Sequence, residues 1–252
     1  MTHISSHEEA LHNPHKNADA SPLIVLDNFC VALDGRAVLR HVDLSIYAGE
    51  CVVLMGDNGS GKTSLLRALA GLIWADQGTY TFLGKAIDKK SMRAQALSKW
   101  LHQKLGFVFQ DSDAQLFCAS VEDEIAFGPR QMGLTEEDVS QRVTDVAKLL
   151  HIEDLIERAP YNLSGGEKKK VALATVLATN PDVYCLDEPM AGLDKKTQTW
   201  LLATLIDLKS AGKTIIISTH DQTLADELAD WFVYVGDFHG YENRPHVHIN
   251  QS

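Results

Sequence analysis

Residues 56–64 read GDNGSGKTS, with CVVLM (51–55) before them and LLRALAGL (65–72) after them. Five apolar residues between glycines have the pattern of a strand buried on both faces. The following segment has helical spacing and stops at Gly71. Between strand and helix, Gly56, four further residues, then Gly61, Lys62 and Thr63 match the phosphate-binding loop pattern. Glycines let backbone N–H groups turn inward and reach phosphate oxygens without a Cβ clash. The helix that follows offers its N-terminal dipole to the same anion. Gly56, Asp57, Asn58, Gly59, Ser60, Gly61, Lys62, Thr63 and Ser64 are therefore candidate nucleotide ligands. Lys62 is expected to reach the β- and γ-phosphates and the Thr63 hydroxyl to ligate Mg²⁺.

Outward from this loop the chain reads as an interrupted α/β protein. LIVLDNFCVAL (23–33) and VDLSI (42–46) read as strands around a turn at Asp34-Gly35, and TYTFLG (79–84) and GFVFQ (106–110) as two more. From about 111 to 170 helical signals replace strands, in VEDEIAFG, TEEDVSQRVTDVAKLL and the start of SGGEKKKVALATVLA. Strands and helices then alternate through DVYCLDE, KTQTWLLATLIDLKSAG, KTIIIST, DQTLADELAD and WFVYVG, which indicates βαβ units and a mainly parallel sheet. Residues 1–21 read as a disordered polar tail, 22–238 as the folded domain, and 239–252 as a second polar, His-containing tail.

Composition narrows the class. The chain has 252 residues, 45% of them hydrophobic, enough for a packed core, and a net charge of −11. Such acidity disfavours DNA, RNA and anionic lipid as partners. No apolar run approaches the roughly 18 residues of a spanning helix, and the N-terminus lacks signal-peptide character. A cytoplasmic location is expected, and any work at a membrane would go through another protein. Cys30, Cys51, Cys118 and Cys185 show no metal-binding spacing and read as buried free thiols.

Two further motifs carry chemistry. In VYCLDE (183–188) a buried strand ends in two carboxylates. Asp187 is placed to hold Mg²⁺, and Glu188 to polarise the attacking water. In LSGGE (163–167), Ser164, Gly165, Gly166 and Glu167 stand at a helix start, where free N–H groups can bind an anion; Ser164 also suits an N-cap. One triphosphate does not need two phosphate-binding helix ends in one chain. A dimer resolves this, with the loop of one chain and the Ser164–Gly166 segment of the other closing on one ATP.

At this point the sequence resembles the ATP-binding cassette (ABC) family over about residues 23–236. The resemblance implies a P-loop NTPase (RecA-like) α/β core, an antiparallel β subdomain and a helical insert. It implies that Gln110 is the Q-loop glutamine and a Mg²⁺ ligand beside Thr63 and Asp187. In the same way AGLD (191–194) is the D-loop, with Asp194 reaching across the dimer, and His220 is the switch histidine at the γ-phosphate. Glu188, His220 and Gln110 are then the catalytic set of an ATPase with ATP and Mg²⁺ as cofactors. Two positions depart from the family pattern: Leu33 stands where an adenine-stacking aromatic is usual, with Phe29 as a substitute, and Met190 stands where Thr or Ser is usual.

The segment QDSDAQLFCASVEDEIAFGPRQMGL (110–134) is similar to the ATPases of energy-coupling-factor importers, through Gln115, Leu116, Phe117 and the Ala126–Pro129 run; Ser112 replaces a common proline. That likeness implies a second ABC ATPase subunit, identical or not, a transmembrane coupling protein and a substrate-capture membrane protein as partners. It implies a peripheral place on the cytoplasmic face of the cell membrane. Cobalt or nickel is the expected cargo, with biotin or another vitamin as the alternative. His3, His7, His12, His15, His239, His246 and His248 suit Ni²⁺ or Co²⁺, but read more simply as chance histidines in solvated tails. A soluble cassette ATPase of cofactor assembly shares every ATP motif and is the rival class.

Overall fold

Strand β3 (Cys51–Met55) is buried at all five positions because it runs through the middle of a six-stranded sheet. In the computed structural model, residues 21–236 and 246–249 are described. The sheet order is β10 (His246–Ile249), β9 (Trp231–Val235), β3, β8 (Thr214–Ser218), β7 (Val183–Asp187), β6 (Leu105–Val108), with every neighbouring pair parallel. A parallel sheet covered on both faces calls for near-continuous apolar strands, and β7, β8 and β9 are likewise buried throughout. A second, antiparallel sheet is ordered β2 (Arg36–Ile46), β1 (Ile24–Leu33), β4 (Gln77–Phe82), β5 (Lys85–Ala86).

Register decides where the chemistry lies. Leu54 of β3 pairs with Ser218 of β8, and Ser218 pairs with Asp187 of β7. The carboxyl ends of the three strands are therefore level. Helix α1 (Lys62–Leu69) leaves from that edge, directly after the glycine loop. This edge is where open α/β sheets bind ligands.

Helix α2 (Gln95–Lys104) lies between the sheets and was not legible in the sequence. It is polar, buries only Leu101 and has no side-chain hydrogen bond at its N-cap Ala94, so neither a strong apolar stripe nor a cap signal marks it. Beyond β6 come α3 (Val121–Met132), α4 (Glu136–Leu150) and α5 (Gly165–Thr179). The first two carry the expected starts: Ser120 and Thr135 accept from Asp123 N and Asp138 N. Helix α5 is apolar round much of its circumference and packs on α3, α4 and β6. A Cβ on Gly128 would fall 2.4 Å from Thr179 Cγ2 of α5, so the glycine of AFGP permits the close approach of α3 to α5. Helices α6 (Lys195–Ser210) and α7 (Gln222–Leu228) complete the alternation.

Two sequence expectations need correction. The segment from 239 is not polar tail throughout: His246–Ile249 add β10 to the sheet edge, Gly236 N–H donates to Ile249 O at 2.8 Å, and Val247 and Ile249 are each 4% exposed. The alternation His-Val-His-Ile is a two-residue period, too short to stand out in a polar context. The four cysteines are free, but only Cys51 and Cys185 are buried; Cys30 and Cys118 are half-buried. Burial pushes the Cys51 thiol up to about 12 and raises Cys185 as well, which leaves both unreactive.

If β10 packs as described, Ile249→Ala lowers unfolding stability by about 2 kcal/mol or more, the usual cost of truncating a buried isoleucine. Urea denaturation measures it; a change within error would remove β10 from the folded core.

Candidate functional site

The glycine loop forms a cleft of about 360 Å³ lined by Asn58, Gly59, Ser60, Gly61, Lys62, Thr63 and Ser64, within the range of about 300–1,000 Å³ usual for small-molecule sites. Gln110, Glu188, His220 and Val38 complete its wall. Gly56 and Asp57 stand beneath: Lys62 Nζ donates to their carbonyl oxygens at 2.8 and 3.0 Å. Backbone geometry requires the first glycine. Gly56 has φ +150°, and a Cβ there would lie 2.4 Å from Val235 O at the end of β9. The loop thus rests on the neighbouring strand as well as on its own helix.

Two carboxylates leave β7 in different directions. Asp187 Oδ1 accepts hydrogen bonds from Thr63 Oγ1 at 3.0 Å and from Ser218 Oγ at 2.5 Å. Glu188 has φ +42°, an unfavourable region for a residue with a Cβ. Its N–H is anchored to Ser218 O at 3.0 Å and Ser218 Oγ at 3.1 Å. The Glu188 side chain meets His220, with Nδ1 2.9 Å from Oε2. Left-handed backbone directly after Asp187 separates the two acids, one toward Thr63 and one toward His220. Strain of about 1–3 kcal/mol is typical of such positions at functional sites. Thr63 and Asp187 form an all-oxygen pair beside the Gln110 amide, a donor set that suits a hard cation such as Mg²⁺.

The second phosphate-ready helix end lies elsewhere. Ser164 caps α5 in a capping box: its Oγ accepts from Glu167 N at 3.4 Å and its N–H donates to Glu167 Oε2 at 2.7 Å. The Ser164 hydroxyl, which also donates to Glu167 Oε2 at 2.7 Å, and then the Ser164 N–H hold the Glu167 carboxyl below its usual range. Asp194 caps α6 through Thr197 N at 2.9 Å, which likewise lowers its pKa. Ser164, Gly166, Glu167 and Asp194 line one cleft with Lys170 and Trp200; Gly165 opens the helix beside them. This cleft and the loop cleft share no lining residue.

A third concavity lies between β6, α3 and α5, with Phe109, Gln115, Phe117 and Phe127 in its wall. Phe117 and Phe127 meet edge to face at 5.1 Å and are 69% and 44% exposed.

Some residues were misread or missed. Leu33 does not line the loop cleft; Val38 does. Phe29 is 2% exposed within the core and cannot replace a stacking aromatic. Met190 is buried in the core around α5 and β7, and nothing in the structure explains its choice over Thr or Ser. Ser218, which braces both acids, was overlooked, although a hydroxyl ending the strand TIIIS is a visible signal. Lys169 is buried, although the sequence marks it only as one residue of the helical segment SGGEKKKVALATVLA. His3, His7, His12, His15 and His239 lie outside the described residues, where no group of three or more metal-ligating side chains occurs among those that are described.

A parallel sheet, a glycine loop opening a helix and two acids at the end of β7, one strand removed from β3 across β8, define a P-loop nucleotide-hydrolase fold. The sequence pattern of the family described as "ABC transporter" matches residues 39–191. The chain belongs to that family, as its ATP-binding cassette. It is 42% identical over 217 residues to the nickel import ATP-binding protein LarO of Lactiplantibacillus plantarum, covering 86% of this chain and 90% of that one. Among solved structures it resembles cbiO1 from Clostridium perfringens, described as part of the ABC transporter complex cbiONQ, with TM-score 0.73, 33% identity and 84% coverage of both chains. It also resembles the dimeric post-hydrolysis state of the cassette MJ0796 bound to ADP and Pi, with TM-score 0.77, 26% identity and coverage of 89% of this chain and 96% of that one. Among the described residues no helix is long and apolar enough to cross a membrane.

The contact of Gly56 with Val235 yields a ranking. Gly59 also has positive φ but open space around it. Gly59→Ala should cost about 1–2 kcal/mol, the left-handed backbone penalty, and Gly56→Ala distinctly more. Urea unfolding without nucleotide measures both; equal losses would contradict the packing described.

Proposed function

We propose that this cassette hydrolyses ATP as one half of a dimer and drives a membrane importer of the energy-coupling-factor type, with nickel or cobalt as cargo. The observation that carries the dimer is the separation of two phosphate-ready helix starts into clefts without a common residue. In this reading ATP rests on the glycine loop of one chain, and Ser164, Gly165, Gly166 and Glu167 of the other close over its γ-phosphate. Asp194 lies beside that surface and couples the two halves.

Lys62 exchanges the carbonyls of Gly56 and Asp57 for phosphate oxygens. Thr63, Asp187 and Gln110 are the residues to hold Mg²⁺, which when bound neutralises charge on the β- and γ-oxygens. Glu188 accepts a proton from, or orients, the attacking water, and His220 steadies its carboxylate until the γ-phosphate takes over the imidazole. General-base assistance contributes about 10²- to 10⁴-fold, roughly 3–5.5 kcal/mol of barrier.

Import rests on the third concavity. An exposed aromatic pair in a groove beside the Gln110 turn suits an apolar helix of a transmembrane partner. A place on the cytoplasmic face of the membrane follows from that docking. The choice of metal ion is supported by the likeness to a nickel import protein.

Glu188→Gln should lower turnover by about 10²-fold or more while ATP binding survives. With ATP and Mg²⁺ it should elute as a dimer from size exclusion; monomer alone would count against the sandwich. Phe117→Asp should abolish co-isolation of multi-span proteins from detergent extract. Soluble partners in both the wild-type and variant preparations would point instead to the cofactor-assembly class.

A further inference from the structure

Lys169 is the second of three lysines in EKKK, and unlike an ordinary surface lysine it is 3% exposed. An ammonium is buried only where acceptors and opposite charges compensate it. Its Nζ donates to Phe109 O at 3.0 Å and Gln110 O at 2.9 Å. Both carbonyls belong to the turn that carries the Gln110 amide into the loop cleft. Two neighbours fasten the same turn to α5. Lys168 Nζ bridges Asp113 Oδ1 at 2.6 Å. Gln115 Oε1 accepts from Phe109 N at 3.2 Å, while its Nε2 donates to Ala172 O at 2.8 Å and Thr175 Oγ1 at 2.9 Å. Residues 109–115 are thus tied to α5 at successive turns of that helix, and the tie at Gln110 itself runs through Lys169.

We propose that Lys169 is a positioning residue: it fixes the Gln110 backbone to helix α5, so that the Gln110 amide keeps its place in the catalytic cleft and moves when α5 moves. The proposal rests on the reading of Gln110 as a Mg²⁺ and water ligand. Burial lowers the Lys169 pKa, and the charges of Asp187 and Asp111 oppose that shift. Lys169 follows the Ser164 cap by little more than one turn, so one buried side chain joins that helix start to the Gln110 turn.

The test is a cycle in the full chain with Lys169→Met, Lys169→Arg, Gln110→Ala and Lys169→Met/Gln110→Ala. Lys169→Met should bind a fluorescent ATP analogue in EDTA as the wild type does. Its kcat should fall at least about tenfold, since a misplacement of about 1 Å can cost 10²-fold. The Mg²⁺ concentration for half-maximal rate should rise, and Lys169→Arg should recover part of both. The double variant should be no slower than Gln110→Ala, because the two losses are one. Losses that multiply, or a Lys169→Met enzyme with wild-type kcat and Mg²⁺ dependence, would overturn the proposal. If Lys169→Met does not fold, Lys169→Gln, which keeps a donor without the charge, takes its place in the cycle. If Gln110→Ala is itself without effect, the reading of Gln110 fails. The tether is then judged by hydrogen exchange at 109–115: faster exchange in the Lys169 variant sustains it, and unchanged exchange refutes it.

Discussion

Asp187 ends β7 opposite Ser218 of β8, and its carboxylate accepts from both Ser218 and Thr63. That one group joins three separate pieces of chain: the strand before Glu188, the strand before His220 and the helix after the glycine loop. It can do so because β3, β8 and β7 run parallel with their ends level. A shift of one residue in any pairing would turn the strand's side chains to the opposite face. Thr63 would then lose Asp187, and Glu188 would lose both its Ser218 anchors and its His220 partner.

The same edge does not supply a complete phosphate cage. Ser164 and the α5 N-terminus are held by a capping box in a different cleft, next to Asp194 and Trp200. Capping satisfies two of the free groups at that helix start, and the remaining N–H groups and the dipole stay available to an anion. In the proposed dimer this is what makes ATP the adhesive between chains. The fastening of residues 109–115 to α5 gives that adhesive a route to the catalytic cleft and to the aromatic groove beside it, since Gln115 borders the groove and binds α5.

The core architecture and the loop were legible because each signal was both local and strong. CVVLM is apolar at every position, the glycine spacing admits few conformations, and DVYCLDE ends an apolar run with acids. Ser164 at the helix start was legible as an N-cap; the reciprocal bond from Glu167 that completes the capping box came with the structure. What escaped depended on tertiary context. Helix α2 has no cap and one buried residue. Strand β10 is made by the sheet edge it joins, not by its own composition. Leu33 and Val38 flank one turn at Asp34-Gly35, and only the fold shows that Val38 is the one facing the cleft. Lys169 is chemically identical to Lys168 and Lys170, and its burial follows from which face of α5 meets β6.

The central claim, that each catalytic site is built from two chains, is tested most directly by mixing. One chain carries Lys62→Ala and the other Ser164→Arg, and ATP hydrolysis is followed for each alone and for the mixture. The account predicts that neither variant turns over by itself and that the mixture does, because one of the two sites in a mixed pair has an intact loop and an intact facing helix start. Hydrolysis at the wild-type rate by the Ser164→Arg chain alone would contradict it.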